Sequence, residues 1–97
     1  VSLAELQGKA SVIRGMAAKL GITGVGVYGS VARGEETLGS NVDLLIECPA
    51  SLSHFDIVDF AAEVEDLVGA RVDVLTRAVL ETDAVRWAAV QREIVEL

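Results

Sequence analysis

Apolar residues recur at spacings of three and four along the first twenty positions, which is the pattern of one face of an α-helix. Ser2 and Glu5 have the spacing of a capping box at its start, and Gly21 follows its last apolar position. The apolar positions of this face are Leu3, Leu6, Ala10, Ile13, Ala17 and Leu20. The pattern predicts one continuous helix that ends at Gly21.

Short apolar runs predict three β-strands. The first is Val25–Tyr28, which lies between glycines, and the second is Val42–Cys48, which Pro49 stops. The third is Arg71–Leu75. Residues 29–41 are rich in Gly, Ser and charge, and they predict a loop or a short helical turn.

Two more helices are predicted in the second half of the chain. Ser53 caps the first, which ends at Gly69, and Thr82 caps the second. The final residues, Ile94–Leu97, either continue that helix or are extended. The positions at helical spacing are Phe55, Val58, Ala62, Glu65 and Leu67 in the first helix and Val85 and Ala89 in the second. The order of elements predicts an α/β (α+β) fold, a small mixed β-sheet flanked by helices, because such short apolar strands must be covered.

Length and composition predict one globular domain over residues 1–97. Hydrophobic residues make up 52% of the chain and charged residues 24%, which is typical of a folded protein and not of a disordered one. The net charge of −7 argues against direct capture of nucleic acid or of an anionic membrane, which needs clustered Lys and Arg. It is compatible with a basic protein partner or a metal ion.

Cysteine content and hydropathy predict a cytoplasmic protein. The only cysteine, Cys48, excludes an internal disulfide and fits a reducing compartment. No apolar run approaches the ~18 residues of a membrane span, and no signal segment is recognisable at the N-terminus. The sequence leaves the oligomeric state open.

Oxygen-bearing side chains interrupt two of the predicted strands. Asn41 and Asp43 point to the same side, with Cα atoms roughly 6.6 Å apart, while Val42 points into the core. Asp73 lies in the same way within the third strand. If these side chains meet across adjacent strands, the carboxylates repel one another unless a cation lies between them. Magnesium suits that site because it takes hard oxygen ligands and brings phosphates with it.

A glycine-serine pair precedes this cluster. Gly29 allows a phosphate to approach the backbone, and the Ser30 hydroxyl and nearby N–H groups can bind phosphate oxygens. Arg33 lies one turn later and could hold a phosphate through its fork of donors. A phosphate site beside a metal site is suited to nucleotidyl transfer, in which a hydroxyl attacks the α-phosphorus and pyrophosphate leaves.

The stretch "YGSVARGEETLGSNVDLLIE", followed thirty residues on by "VDVLT", resembles the minimal nucleotidyltransferase (MNT) family of the DNA polymerase β-like superfamily. The matching positions are Gly29, Ser30, Ala32, Arg33, Gly34, Ser40, Asp43 and Asp73. The resemblance implies a polymerase β-like nucleotidyltransferase fold. It also implies two-metal catalysis with Mg²⁺ on Asp43 and Asp73, and nucleotide binding by Gly29, Ser30, Arg33 and Ser40.

Many MNT proteins are antitoxins paired with a HEPN-domain RNase toxin. The resemblance therefore implies an antitoxin that transfers AMP from ATP to a hydroxyl of its toxin. The alternative is a catalytically degenerate antitoxin that acts by binding its partner. Transfer to an RNA 3′ end is disfavoured by the acidic charge.

One position departs from the family pattern. Asn41 stands where the family has its first acid, so the formal charge of the site falls from −3 to −2 and magnesium should bind more weakly. Three accounts stay open: a degenerate member that binds without turnover, an enzyme that works slowly through Asp43 and Asp73, or a deliberate Asp→Asn variant.

The stretch "GVGVYG" formally matches a dinucleotide-binding fingerprint. That fingerprint must follow a strand and open a helix, whereas here the predicted strand lies within it. Gly24 and Gly26 are therefore expected to be turn and close-packing positions, and Tyr28 and Trp87 are expected in the core.

Overall fold

A four-stranded mixed sheet forms the centre of the fold, which confirms the predicted fold class. The computed structural model describes residues 1–97. Its strands are β1 (Gly24–Tyr28), β2 (Val42–Glu47), β3 (Val72–Thr76) and β4 (Val95–Glu96). Their order in the sheet is β3-β2-β1-β4, with β1 antiparallel to both neighbours and β2 parallel to β3.

Helices cover both faces of this sheet. They are α1 (Leu3–Gly8), α2 (Ala10–Ala18), α3 (Gly29–Arg33), α4 (His54–Val68), α5 (Arg77–Glu81) and α6 (Ala84–Glu93). On one face, residues of α1, α2 and α4 form the larger core with Val27, Leu44 and Ile46. On the other face, a smaller cluster joins Tyr28 and Leu45 to residues of α5 and α6. None of the helices has the length and apolarity needed to cross a membrane.

The predicted N-terminal helix is divided into α1 and α2, so the expectation of one continuous helix is wrong. Lys9 leaves the helical backbone at φ −107° and ψ 6°, and its Nζ donates a hydrogen bond to the Leu67 carbonyl at 2.8 Å. Gly8 beside it lowers the helix propensity. The apolar spacing continues across the break because Leu6, Ala10 and Ile13 are all buried.

The helix α4 has the predicted ends, with Ser53 as its N-cap and Gly69 at φ +71° as its C-cap. Its predicted buried face is wrong. Phe55 is 79% exposed, whereas Phe60 and Val64 are fully buried. Two apolar stripes run along this helix, and only packing against the sheet decides which one is covered.

The C-terminal third contains α5, which the sequence analysis missed, and the last helix begins one residue later than predicted. The Asp83 carboxylate accepts the cap hydrogen bond from the Arg86 N–H at 3.1 Å, so the N-cap is not Thr82. Val85 and Ala89 are exposed, and Val90 is the buried residue of α6. The extended alternative for the last residues is confirmed by β4, which pairs with β1.

Gly24 and Gly26 lie within β1, so the strand occupies the "GVGVYG" stretch as expected. A Cβ on Gly26 would lie 2.8 Å from the Ile94 side chain, which makes Gly26 a close-packing position. Glycine at this position leaves room for the side chain of Ile94, the residue before β4.

Candidate active site

The three polar positions of the predicted metal cluster meet at one end of β2 and β3. Asp43 and Asp73 are register partners on these parallel strands, and the Asn41 amide Nδ2 donates a hydrogen bond to Asp73 Oδ2 at 2.9 Å. Asp43 is partly buried, whereas Asp73 is exposed. The neighbouring Val42 and Leu44 are fully buried on the opposite face. The alternation of side chains along β2 therefore turns both acids to the same side of the sheet.

Gly29 brings the backbone of the predicted phosphate site against the acid pair. Tyr28, the last residue of β1, is the register partner of Asp43, and Gly29 begins α3 directly after it. Gly29 has φ +76°, and a Cβ built on it would collide with the Asp43 carboxylate. Only glycine satisfies both conditions. Ser30 follows in the first turn of α3, beside the same carboxylate-bearing end of the sheet.

We expect Gly29→Ala to destabilise the fold by about 2 kcal/mol more than Gly34→Ala. Gly34 has a similar φ of +71°, but a Cβ there meets no atom within 4 Å, so its substitution costs only backbone strain. Gly29→Ala adds the collision with Asp43. Urea unfolding of both variants, followed by circular dichroism, measures the difference. Equal losses of stability would contradict the close approach.

Burial and like charge act on the carboxylates of this site. Burial and then the charge of Asp73 raise the pKa of Asp43, while the charge of Arg86 lowers it. Burial, followed by the charge of Asp43, raises the pKa of the Tyr28 hydroxyl. The site therefore has excess negative charge that its own side chains only partly offset, as expected where a cation binds.

We expect Asp43→Asn to stabilise the chain by about 1 kcal/mol at pH 7 in EDTA, because it removes a partly buried charge and its repulsion by Asp73. A raised folded-state pKa contributes stability below the unfolded-state value of about 3.9, and this is lost as pH rises through the folded-state pKa. The difference in Tm between variant and parent should therefore shrink below about pH 4. Asp66→Asn, on the exposed side of α4, is the matched control. A lower Tm for Asp43→Asn at pH 7 would contradict this account.

The donor set fits one magnesium ion that arrives with a nucleotide. Asp43 and Asp73 offer carboxylate oxygens and Asn41 offers an amide oxygen, which are hard ligands. No group of three or more His, Cys, Asp or Glu side chains is arranged to hold a metal. Magnesium is commonly bound through one or two carboxylates plus substrate phosphates, so two acids suffice for one ion, but the charge for a second is reduced.

The structure places the other predicted nucleotide-binding residues in protein contacts. The Arg33 guanidinium donates to Glu93 at 2.6 Å and to Glu35 at 3.3 Å. The Ser40 hydroxyl accepts a hydrogen bond from the Thr37 N–H at 2.9 Å. Nucleotide binding by Arg33 and Ser40 therefore stays a prediction.

Arg86 is a residue near this site that the sequence analysis did not single out. Its charge acts on the pKa of Asp43 more strongly than that of Arg33. The available signal was its position four residues before Val90 and seven before Glu93, on one face of α6. That signal has meaning only once the face of α6 that contacts α3 is known.

Two archaeal proteins are similar to this chain in sequence. A candidate protein adenylyltransferase from Methanocaldococcus jannaschii is 38% identical over 58 residues, which are 60% of this chain and 62% of that protein. The protein adenylyltransferase MntA from Thermococcus cleftensis is 31% identical over 77 residues, which are 79% of this chain and 76% of the relative. The first match thus spans less than two thirds of its relative.

Two solved structures share the fold. A candidate minimal nucleotidyltransferase superposes with a TM-score of 0.84 at 31% identity, covering 100% of this chain and 97% of its own. A chain of the complex between tri-AMPylated Shewanella oneidensis HEPN toxin and MNT antitoxin gives a TM-score of 0.68 at 12% identity. That match covers 93% of this chain and 69% of the other. At so low an identity the second comparison shows the fold alone.

The model of a family described as nucleotidyltransferase domain matches residues 10–96. This range contains all four strands, the acid pair and the Gly29–Ser30 turn. The fold is that of a minimal nucleotidyltransferase, and the chain belongs to the nucleotidyltransferase domain family.

Proposed function

We propose that this chain transfers AMP from ATP to a protein hydroxyl, and that it is an antitoxin which adenylylates and neutralises a HEPN-type toxin. The observation that carries the proposal is the in-register pair Asp43 and Asp73, which lies against the Gly29–Ser30 turn. The relatives named as adenylyltransferases support the reaction. The complex of an AMPylated HEPN toxin with an MNT antitoxin supports the partner. Since ATP is available in the cytoplasm, we place the reaction there.

The proposed roles follow from where each side chain lies. Asp43 and Asp73 would hold Mg²⁺, which supplies positive charge to the phosphates and acts as a Lewis acid at phosphorus. The Gly29 backbone leaves room for the phosphates, and the Ser30 hydroxyl and the N–H groups that begin α3 donate to their oxygens.

The proposed step forms one bond and breaks one. The oxygen of the acceptor hydroxyl bonds to the α-phosphorus, and the bond from that phosphorus to the bridging oxygen of pyrophosphate breaks. Asp73 is the more exposed of the two acids, so we assign to its carboxylate the proton that the hydroxyl loses. Pyrophosphate leaves with the electron pair of the broken bond.

The test is label transfer from [α-³²P]ATP with magnesium to the protein encoded by the neighbouring gene. Transfer should label that protein and add the mass of one AMP per modified hydroxyl. A neighbour with a HEPN-type Arg-x-x-x-x-His motif would match the proposed partner. Absence of transfer from both this chain and its Asn41→Asp variant would contradict the reaction.

The second candidate is an antitoxin that neutralises its partner by binding alone. The observation that favours it is the Asn41–Asp73 hydrogen bond, because it engages a carboxylate oxygen that a metal would use. The double variant Asp43→Asn with Asp73→Asn separates the candidates. If binding alone suffices, this variant still neutralises the toxin. If AMP transfer is required, the double variant still binds the toxin but leaves it active.

A further inference from the structure

Arg33 is committed to carboxylates within the protein. Its Nη1 donates to Glu93 Oε2 at 2.6 Å, and the Glu93 side chain is 17% exposed while that of Arg33 is 45% exposed. Its Nε donates to Glu35 at 3.3 Å. These contacts join the end of α3 to the end of α6. With Nε and Nη1 engaged in this way, Arg33 is placed to position α6 beside the acid pair.

Arg86 lies on the stripe of α6 that faces the site. Val90 and Glu93 follow it at four and seven residues, which places all three on one helical face. Val90 clusters with Tyr28, whose register partner is Asp43, and Glu93 holds Arg33 of α3. The stripe therefore runs from the end of β1 to the end of α3, with Arg86 one turn before Val90.

The Arg86 guanidinium is a cation of this region that no carboxylate engages. Its residue is exposed, and it takes part in none of the ion pairs of the structure. Its guanidinium hydrogen-bonds the Tyr28 hydroxyl, which acts to lower the pKa of that hydroxyl, and its charge acts to lower the pKa of Asp43. A chain of net charge −7 with two adjacent carboxylates repels a triphosphate unless a local cation offsets them.

We propose that Arg86 binds the polyphosphate of a nucleotide held at the acid pair. In this proposal Arg33 positions Arg86 through its ion pair with Glu93 on the same helix. A guanidinium presents donors in a fork that matches phosphate oxygens, and Arg86 gives none of its donors to a carboxylate. The assignment rests on the proposed function because that function makes a nucleoside triphosphate the substrate. The sequence analysis predicted that Arg33 of α3 binds phosphate, whereas this proposal assigns that contact to Arg86 of α6.

The test is isothermal titration of the purified chain with MgATP and, separately, with inorganic tripolyphosphate. We expect Arg86→Ala to weaken binding of both probes by at least about tenfold, the usual effect of losing a charge-assisted hydrogen bond. Arg86→Lys keeps the charge but not the fork, so its loss should be smaller. Arg92→Ala is the matched control, since Arg92 is exposed on the same helix and forms no ion pair.

Arg33→Ala should weaken binding less than Arg86→Ala, and Arg33→Lys should restore most of that smaller loss by keeping a cation for Glu93. Unchanged binding by Arg86→Ala, or an equal loss in Arg92→Ala, would overturn the assignment. The proposed function fails separately. If the parent chain binds both probes through Arg86 but transfers no label, the phosphate site stands and the AMP-transfer reaction does not.

Discussion

Asp43→Asn is expected to reduce AMP transfer by roughly 10³-fold while the variant stays folded. The substitution keeps the shape of the side chain, so the contact with Gly29 and the pairing of β2 with β3 persist. It removes one of the two negative charges that would hold the metal. Because the same change is expected to raise stability in EDTA, the loss of transfer cannot be caused by unfolding.

The rate of label transfer at saturating MgATP, together with Tm in the same buffer, measures this effect. Asp73→Asn should show a comparable loss of transfer, since it removes the partner carboxylate. Asp59→Asn, on the exposed side of α4, is the control for charge alone and should leave the rate unchanged. Transfer by Asp43→Asn at more than a tenth of the parent rate would contradict a role in the reaction.

Asn41→Asp is expected to raise AMP transfer by at least about tenfold at low magnesium concentration, because it adds a third carboxylate to the metal site. The same variant loses the hydrogen bond from the Asn41 amide to Asp73 and places a like charge there instead. We therefore expect it to be about 1 kcal/mol less stable in EDTA, with magnesium reversing that loss.

Asn41→Ala is the matched control for this experiment. It also removes the hydrogen bond to Asp73, but it adds no charge, so magnesium should not restore its stability. Tm with and without magnesium separates the two variants, and the magnesium dependence of the transfer rate tests the chemistry. If Asn41→Asp binds magnesium no better than the parent and transfers no faster, the site is not limited by its missing carboxylate.

The proposed phosphate contact assigns nucleotide binding around the Gly29–Ser30 turn to two separate parts of the chain. The motif supplies the backbone that approaches the acid pair, while the cation proposed to bind phosphate, Arg86, comes from α6. Arg33 belongs to the motif and binds the Glu93 carboxylate on α6. The proposed phosphate site therefore depends on the position of α6. Substitutions at the Arg33–Glu93 ion pair should therefore affect nucleotide binding at a distance from the nucleotide.

Short-range patterns made the strands and the acid pair predictable. A period of two sets the side chains of Asn41 and Asp43 on one side of a strand, whatever the rest of the chain does. The two predicted acids and the glycine-serine pair are brought together as the motif suggested. Caps were predictable for the same reason, because Ser53 and Gly69 act on backbone groups within a few residues.

The faces of helices were less predictable, because a helix with two apolar stripes does not reveal which one is covered. Phe55 has helical spacing with its neighbours and is nevertheless exposed, whereas Phe60 and Val64 pack on the sheet. The break at Lys9 has a similar origin, since its side chain bonds to a carbonyl on α4, far away in the sequence.

The sequence by itself determined the order of the three main strands along the chain and the positions of the acids in β2 and β3. These features depend on apolar runs and on alternation along a strand. Only the tertiary structure decided that Arg33 is engaged by Glu93 and that Arg86, which no carboxylate engages, lies beside Tyr28, the register partner of Asp43. The physical reason is that these charges come from elements about sixty and forty residues apart. Their pairing follows from the way α5 and α6 pack on the sheet, which no local pattern encodes.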